Sequence, residues 1–366
     1  MLKHTYLRKT FLSILAIGLF TVSCKKDADL ESQNGLVSAN GVALNKSDAL
    51  MATSVPLSPL LSGSSLELGI NGHPLDGTGP YSHVSASKQI EMLQKMGMNW
   101  YRADVTTMSD GRITVPYLFD PLMAAATSGG VKILPALKTR TLDLNATQSA
   151  SYSAGKKLGA DFAAKYGKYF TYYNLGNELE LKLLLPGRSG QSQLHYDRTK
   201  FNVTAAYLKG MDEGIKSQDP DAKTMIDASW LHYGYLRMLE WYGVKFDIIA
   251  YHWYSEMESL GGNKTYNIPD ITLKLSSLFT KPIWFTEVNS RYKADDADFE
   301  VKQDAFIKKF IQKCKNNPQV KVLIFYELFD EPQKNSTLEK NYGLNKWTTK
   351  YTSWTKKMIA QSLTVK

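Results

Sequence analysis

Beyond residue 23, this 366-residue chain has no stretch approaching the roughly 18 uncharged apolar residues that suggest a membrane span. Histidine is scarce and dispersed: the six present form no His-Glu-x-x-His and no His-x-His at a strand end, so neither a metal site nor a cofactor is expected. Asn71-Gly-His-Pro, after the first apolar run, does not fit the Gly-x-Gly-x-x-Gly phosphate loop, which weighs against a dinucleotide fold. The Gly-x-Ser-x-Gly elbow of serine hydrolases is also missing, and that weakens an esterase reading. Positive charge is in modest excess, +9 overall, but Lys and Arg are scattered. No basic helix interleaved with aromatics offers a track for a phosphate backbone, so nucleic acid is not an expected partner.

The N-terminus carries Lys3, Arg8 and Lys9 with no acid, then the apolar run from Phe11 to Val22, then Ser23-Cys24. That order is the pattern of a secretory leader over residues 1–23. Thr21-Val-Ser-Cys24, followed by Lys25-Lys26-Asp27, resembles a bacterial lipobox, although Thr21 stands where Leu or Val is usual. The resemblance implies that Cys24 is lipidated and holds an exported chain at the outer membrane or cell surface. Loss of the leader with its three bases would leave a net charge of +6. Cys314 would then be the one free thiol, with no intramolecular disulfide, so stability must come from the core. Its helical spacing from Ile307, Phe310 and Ile311 makes Cys314 a buried apolar residue. Residues 24–65 are rich in Ser, Asn, Ala and Gly without periodicity and read as a flexible tether.

Residues 66–366 are the right length for one domain, expected as a monomer. Eight short apolar runs recur there, beginning at Leu66, Trp100, Lys132, Phe170, Thr224, Phe246, Pro282 and Lys321, with helical patterns between them. Ser87–Met96 and Phe299–Cys314 are the clearest helices; Gly97 closes the first, and Asp219-Pro220 stops another. Alternating strand and helix predicts an α/β fold with a parallel sheet. Candidate chemical residues fall after many different strands, which favours a closed (β/α)₈ TIM barrel over an open doubly wound sheet.

Two runs end in a carboxylate: Asn174-Leu-Gly-Asn-Glu178 on the fourth strand and Pro282-Ile-Trp-Phe-Thr-Glu287 on the seventh. The C-terminal ends of barrel strands face the mouth, and strands four and seven lie across it from each other. Retaining hydrolysis of a glycosidic bond needs two carboxyl groups roughly 5 to 5.5 Å apart, one as acid/base and one as nucleophile. Asn177-Glu178 with Thr286-Glu287 resembles clan A of the glycoside hydrolases. That resemblance implies Glu178 as acid/base and Glu287 as nucleophile. It also implies that Arg102 keeps the nucleophile charged, Asn177 meets the sugar's 2-hydroxyl, and His252 and Tyr254 flank the nucleophile. Gly72-His-Pro, Met96-Gly-Met-Asn-Trp-Tyr-Arg-Ala-Asp104 and His252-Trp-Tyr254 are most similar to families 39, 128 and 5.

Most clan members place a tryptophan after strand eight; here Phe325-Tyr326-Glu327 stands, so Tyr326 is expected to stack on the sugar instead. Trp230 and Trp253 are candidate sugar platforms or simply core. His73 either meets a sugar hydroxyl or caps a turn. Glu180, Glu327, Asp330 and Glu331 read as surface charges rather than site residues. The expected activity is glycoside hydrolysis of a polysaccharide or oligosaccharide; the alternative is a glycan-binding surface lipoprotein that keeps the barrel without turnover.

Overall fold

The computed structural model describes residues 56–291, 296–334 and 339–365. Eight parallel strands close into a barrel in sequence order: β1 (Glu67–Gly72), β2 (Trp100–Val105), β3 (Lys132–Leu137), β4 (Tyr172–Leu175), β5 (Lys223–Ser229), β6 (Ile248–Tyr254), β7 (Ile283–Asn289) and β8 (Val320–Phe325), with β8 paired back to β1. The (β/α)₈ expectation therefore holds, and each predicted run overlaps one of these strands. The outer layer runs through α1 (Ala86–Lys95), α2 (Pro116–Gly129), α3 (Gln148–Tyr166), α4 (Arg198–Gln218), α5 (Tyr233–Tyr242), α6 (Ser255–Gly261), α7 (Ile271–Leu278) and α8 (Phe299–Asn316).

Local signals set the helix ends. The Ser85 side chain accepts the Lys88 N–H to start α1, Asp197 accepts from Thr199 and Lys200 to start α4, and α4 stops at the residue before Asp219-Pro220. Helices α3 and α4 approach backbone to backbone. A Cβ on Gly155 would lie 2.0 Å from the Tyr207 carbonyl oxygen, and one on Gly214 would lie 2.3 Å from that of Lys156. Only glycine permits that contact. Cys314 is buried and free, as its helical spacing implied, and burial pushes its thiol well up.

Inside the barrel the period of two separates an apolar layer from a polar one. Trp100, Leu134, Met225, Ala250, Trp284 and Ile324 belong to an inner apolar cluster distinct from the core under the helices. Two positions further along their strands come Arg102, Asp227 and His252; Asn71 and Asn174 share that level. Strand β7 would break the pattern, because strict alternation from Trp284 inward and Phe285 outward would aim Glu287 outward. The β6–β7 register resolves this: Tyr251 opposes Phe285, but His252 opposes Glu287, so Thr286 is a bulge. That extra residue turns Glu287 inward. The Thr286 carbonyl accepts from Asn71 Nδ2 at 2.8 Å, so the bulge leaves no carbonyl stranded.

The expected tether, 24–65, is corrected at its end. Residues 24–55 lie outside the described residues, as do the expected leader and Cys24. By contrast, Pro59–Leu61 forms a 3₁₀ turn with Leu61 fully buried, and Ser58 Oγ donates to the Leu363 carbonyl at 3.0 Å. This segment packs against the last helix, α9 (Met358–Leu363). Single apolar residues in a Ser-rich stretch carry no period, so their burial is decided by a partner some 300 positions away. After β8 the hairpin β9 (Asn345–Thr349) and β10 (Ser353–Lys356) brings Trp347 and Trp354 around Phe329, with ring centroids 4.8 and 5.4 Å away. No helix among the described residues is long and apolar enough to cross a membrane.

Candidate active site

Arg102 organises the barrel mouth. Its Nη1 donates to Glu287 Oε1 at 2.9 Å and to Asn71 Oδ1 at 2.8 Å, Nε to Asn174 Oδ1 at 2.9 Å, and Nη2 to Asn177 Oδ1 at 2.6 Å. Burial opposes its charge, but Glu287 and Asp227 outweigh that and raise the guanidinium further. The other oxygen of Glu287 accepts from Tyr254 at 2.9 Å. Burial first, and then the Glu287 charge, push the Tyr254 phenol well up, so it stays a donor. Glu287 thus takes a charge-assisted and a neutral hydrogen bond, one on each oxygen.

His252 sits between the two glutamates, its Nδ1 2.9 Å from Glu178 Oε1 and 3.5 Å from Glu287 Oε2. One carboxylate oxygen of each glutamate and a ring nitrogen of His252 all lie within 4.8 Å of one another. Burial pulls the imidazole down, but Glu287, Asp227 and Glu178 outweigh it and lift His252 to about 9. His73 is likewise lifted to about 9, burial being overcome chiefly by Glu327. A histidine whose folded pKa lies above its unfolded value near 6.5 contributes stability that is present below about pH 6.5 and lost as pH rises through 9. Unfolding free energies from denaturant titrations should therefore fall between about pH 6.5 and 9.5. The slope is up to about 1.4 kcal/mol per pH unit for each histidine. A His73→Gln, His252→Gln double variant should flatten that slope, and an unchanged slope would show that other groups carry it.

Glu178 is presented by an unusual backbone. After Gly176, with φ at 88°, Glu178 itself is left-handed at φ 44°, ψ 44°, and its N–H donates to Asp227 Oδ1 at 2.6 Å. Its side chain is 25% exposed against 11% for Glu287, so it forms the open side of the pair.

The other expected residues divide. Trp253 is corrected: it is fully buried, its Nε1 donates to Glu258 at 2.8 Å, and it cannot touch a sugar. The outward phase of β6 puts it in the core. Trp230 is half-buried and stacks on it, with ring centroids 6.0 Å apart. Tyr326 is also half-buried and accepts from Lys334 at 3.0 Å. His73 is committed inward, its Nε2 3.2 Å from Glu327 and 3.6 Å from Glu331.

Glu180, Glu327, Asp330 and Glu331 are corrected too. All four are buried rather than surface charges, because each finds a partner distant in sequence or set by a loop. Glu180 accepts the Ser229 N–H at 2.8 Å; Asp330 meets Lys357 at 2.7 Å; Glu327 and Glu331 share Lys334 and His73. Burial and the Glu327 charge lift Glu331 to about 7. Among the described residues, two trios offer closely grouped ligand-type atoms: His73, Glu327 and Glu331; and Glu178, His252 and Glu287. Lys334 already places a cation against the first, and Arg102 against the second.

Asp227, Asn71 and Asn174 were not singled out as site residues from the sequence. Their one legible signal was position, near the end of strands whose alternate residues face the barrel axis.

The sequence matches the glycosyl hydrolase catalytic core over residues 208–355, a span that includes His252, Tyr254 and Glu287. A search of curated protein sequences finds no match. Among solved structures, the virulence factor SghA from Agrobacterium tumefaciens is similar at 11% identity and a TM-score of 0.59, over 87% of this chain and 97% of that one. A family 1 β-glucosidase from Thermotoga maritima is similar at 11% identity and 0.56, over 82% and 98%. The β-glycosidase BGL167 is similar at 12% and 0.55, over 82% and 95%. At those identities the likeness is one of fold. With a glycosyl hydrolase catalytic core matched through the strand that carries Glu287, and a second glutamate facing it across a closed barrel, this chain is a glycosidase.

Proposed function

We propose that the chain is a retaining glycoside hydrolase of clan A, nearest in motif to families 39, 128 and 5, that cleaves a polysaccharide or its oligosaccharides. The observation that carries this reading is the separation of Glu178 and Glu287, with an oxygen of one within 4.8 Å of an oxygen of the other. Inverting enzymes hold their carboxyl groups roughly 6.5 to 9.5 Å apart to admit a water; retaining ones keep them near 5 Å. In the proposed sequence, Glu178 gives its proton to the leaving oxygen as Glu287 attacks the anomeric carbon. Glu178 then takes a proton from the water that displaces Glu287. Arg102 and Tyr254 compensate the carboxylate charge that returns when the glycosyl-enzyme breaks down. Asn177, held by Arg102 Nη2, lies beside the pair to meet a sugar hydroxyl, while Trp230 and Tyr326 offer partly exposed rings. Reducing-sugar release from a polysaccharide panel tests this. Tight binding without release from any member would leave the barrel as a glycan-binding protein.

The chain is further proposed to be an exported lipoprotein, carried by Cys24 at the outer membrane or cell surface and working as a monomer. Cys24→Ser should move it from the membrane fraction to the soluble one with specific activity unchanged. Unaltered membrane retention would remove the lipid anchor from the account.

A further inference from the structure

Asp227 lies near the end of β5, two positions beyond Met225 of the apolar layer, and is 2% exposed. Its Oδ1 accepts the Glu178 N–H at 2.6 Å; its Oδ2 accepts from Asn174 Nδ2 at 2.8 Å and from Arg102 Nη2 at 3.4 Å, and lies 3.8 Å from His252 Nε2. One buried carboxylate therefore reaches the backbone of Glu178 and two side chains that touch Glu178 or Glu287. It is more deeply buried than either glutamate.

The contact to Glu178 matters because of the backbone there. A left-handed conformation brings Cβ of a non-glycine residue against the following carbonyl, so the chain does not hold it without support. The support comes from β5 on both sides of the turn. Asp227 takes the Glu178 N–H, and Ser229, two positions on, donates from both N–H and Oγ to Glu180 at 2.8 and 3.2 Å, where His232 Nδ1 also lies 3.2 Å away. The carboxyl of Glu178 reaches the pair only if that turn is held.

We infer that Asp227 is the positioning residue of the acid/base, holding the strained Glu178 turn so that its carboxyl meets both the leaving oxygen and the incoming water. This rests on Glu178 being the acid/base. Misplacement by about 1 Å is enough to cost roughly a hundredfold in rate. The defect has a signature, because the second half-reaction with water needs a base to take a proton, whereas azide attacks as an anion and needs none.

The test uses the full chain and an aryl glycoside with a good leaving group. Asp227→Ala should lower kcat roughly ten- to a hundredfold, accumulate glycosyl-enzyme and so lower KM, and be accelerated by sodium azide to a glycosyl azide of retained configuration. Asp227→Asn, whose amide oxygen can still accept the Glu178 N–H, should lose less and respond less to azide. If the alanine variant does not fold, the asparagine variant decides: a loss in kcat that azide partly restores supports the inference, and a loss with no azide response overturns it. Equal losses on activated and natural substrates with no azide response would overturn the inference, as would wild-type rates in Asp227→Ala. Should Glu178→Gly itself be unresponsive to azide, the acid/base assignment falls; should it respond while the Asp227 variants do not, only this inference falls.

Discussion

Glu287→Gly is expected to abolish turnover of natural polysaccharide and activated aryl glycoside alike, by about 10⁴-fold or more, because no leaving group compensates for a missing nucleophile. The vacated space is bounded by Arg102 Nη1 and the Tyr254 hydroxyl, the two donors that met the lost carboxylate. A cation and a hydroxyl around an empty volume form an anion site, so azide should enter it and attack the anomeric carbon from the nucleophile's side. The product is then a glycosyl azide of inverted configuration, read by NMR of its anomeric proton. Failure of azide to restore any transfer in a folded variant would count against Glu287 as nucleophile. The match to a glycosyl hydrolase catalytic core would stand.

Glu178→Gly has a different expected result. Glycine adopts the left-handed backbone found at this position without steric cost, so the substitution tests the carboxyl and not the turn. A good leaving group needs little protonation, and the glycosyl-enzyme should form and accumulate, with kcat on such a substrate falling roughly 10² to 10⁴-fold and KM falling with it. Natural substrates, whose leaving groups need the proton, should lose more. Azide should restore turnover by attacking the intermediate on Glu287, and the product keeps the original anomeric configuration after two displacements. The two azide products therefore assign the roles. Identical anomers from both variants, or wild-type rates on polysaccharide from either, would end the assignment.

Much of this site is legible in the sequence because its signals are local. Asn177-Glu178 and Thr286-Glu287 each end an apolar run, and Arg102 sits two residues into another, so strand identity and position imply that all reach the mouth. Burial of charge was not legible. Glu180, Glu327, Asp330 and Glu331 look like loop acids in a one-dimensional string, and become buried only because Ser229, His73, Lys334 and Lys357 arrive beside them. Trp253 is core rather than sugar platform for a related reason, since adjacent strand residues face opposite sides and His252 takes the inward one.

The amino-acid sequence by itself determined the alternation of strand and helix, the eight-stranded parallel barrel and the two strands that carry the paired glutamates, because those follow from hydrophobic period and chain order. Tertiary structure alone decided which way Glu287 points, through the bulge at Thr286. It also decided that Asp227 meets the Glu178 N–H and Arg102, and that residues 58–61 close against the last helix. A bulge is a mismatch between two paired strands, and a buried ion pair is a meeting of distant residues. Each is a property of pairs, which no local pattern contains.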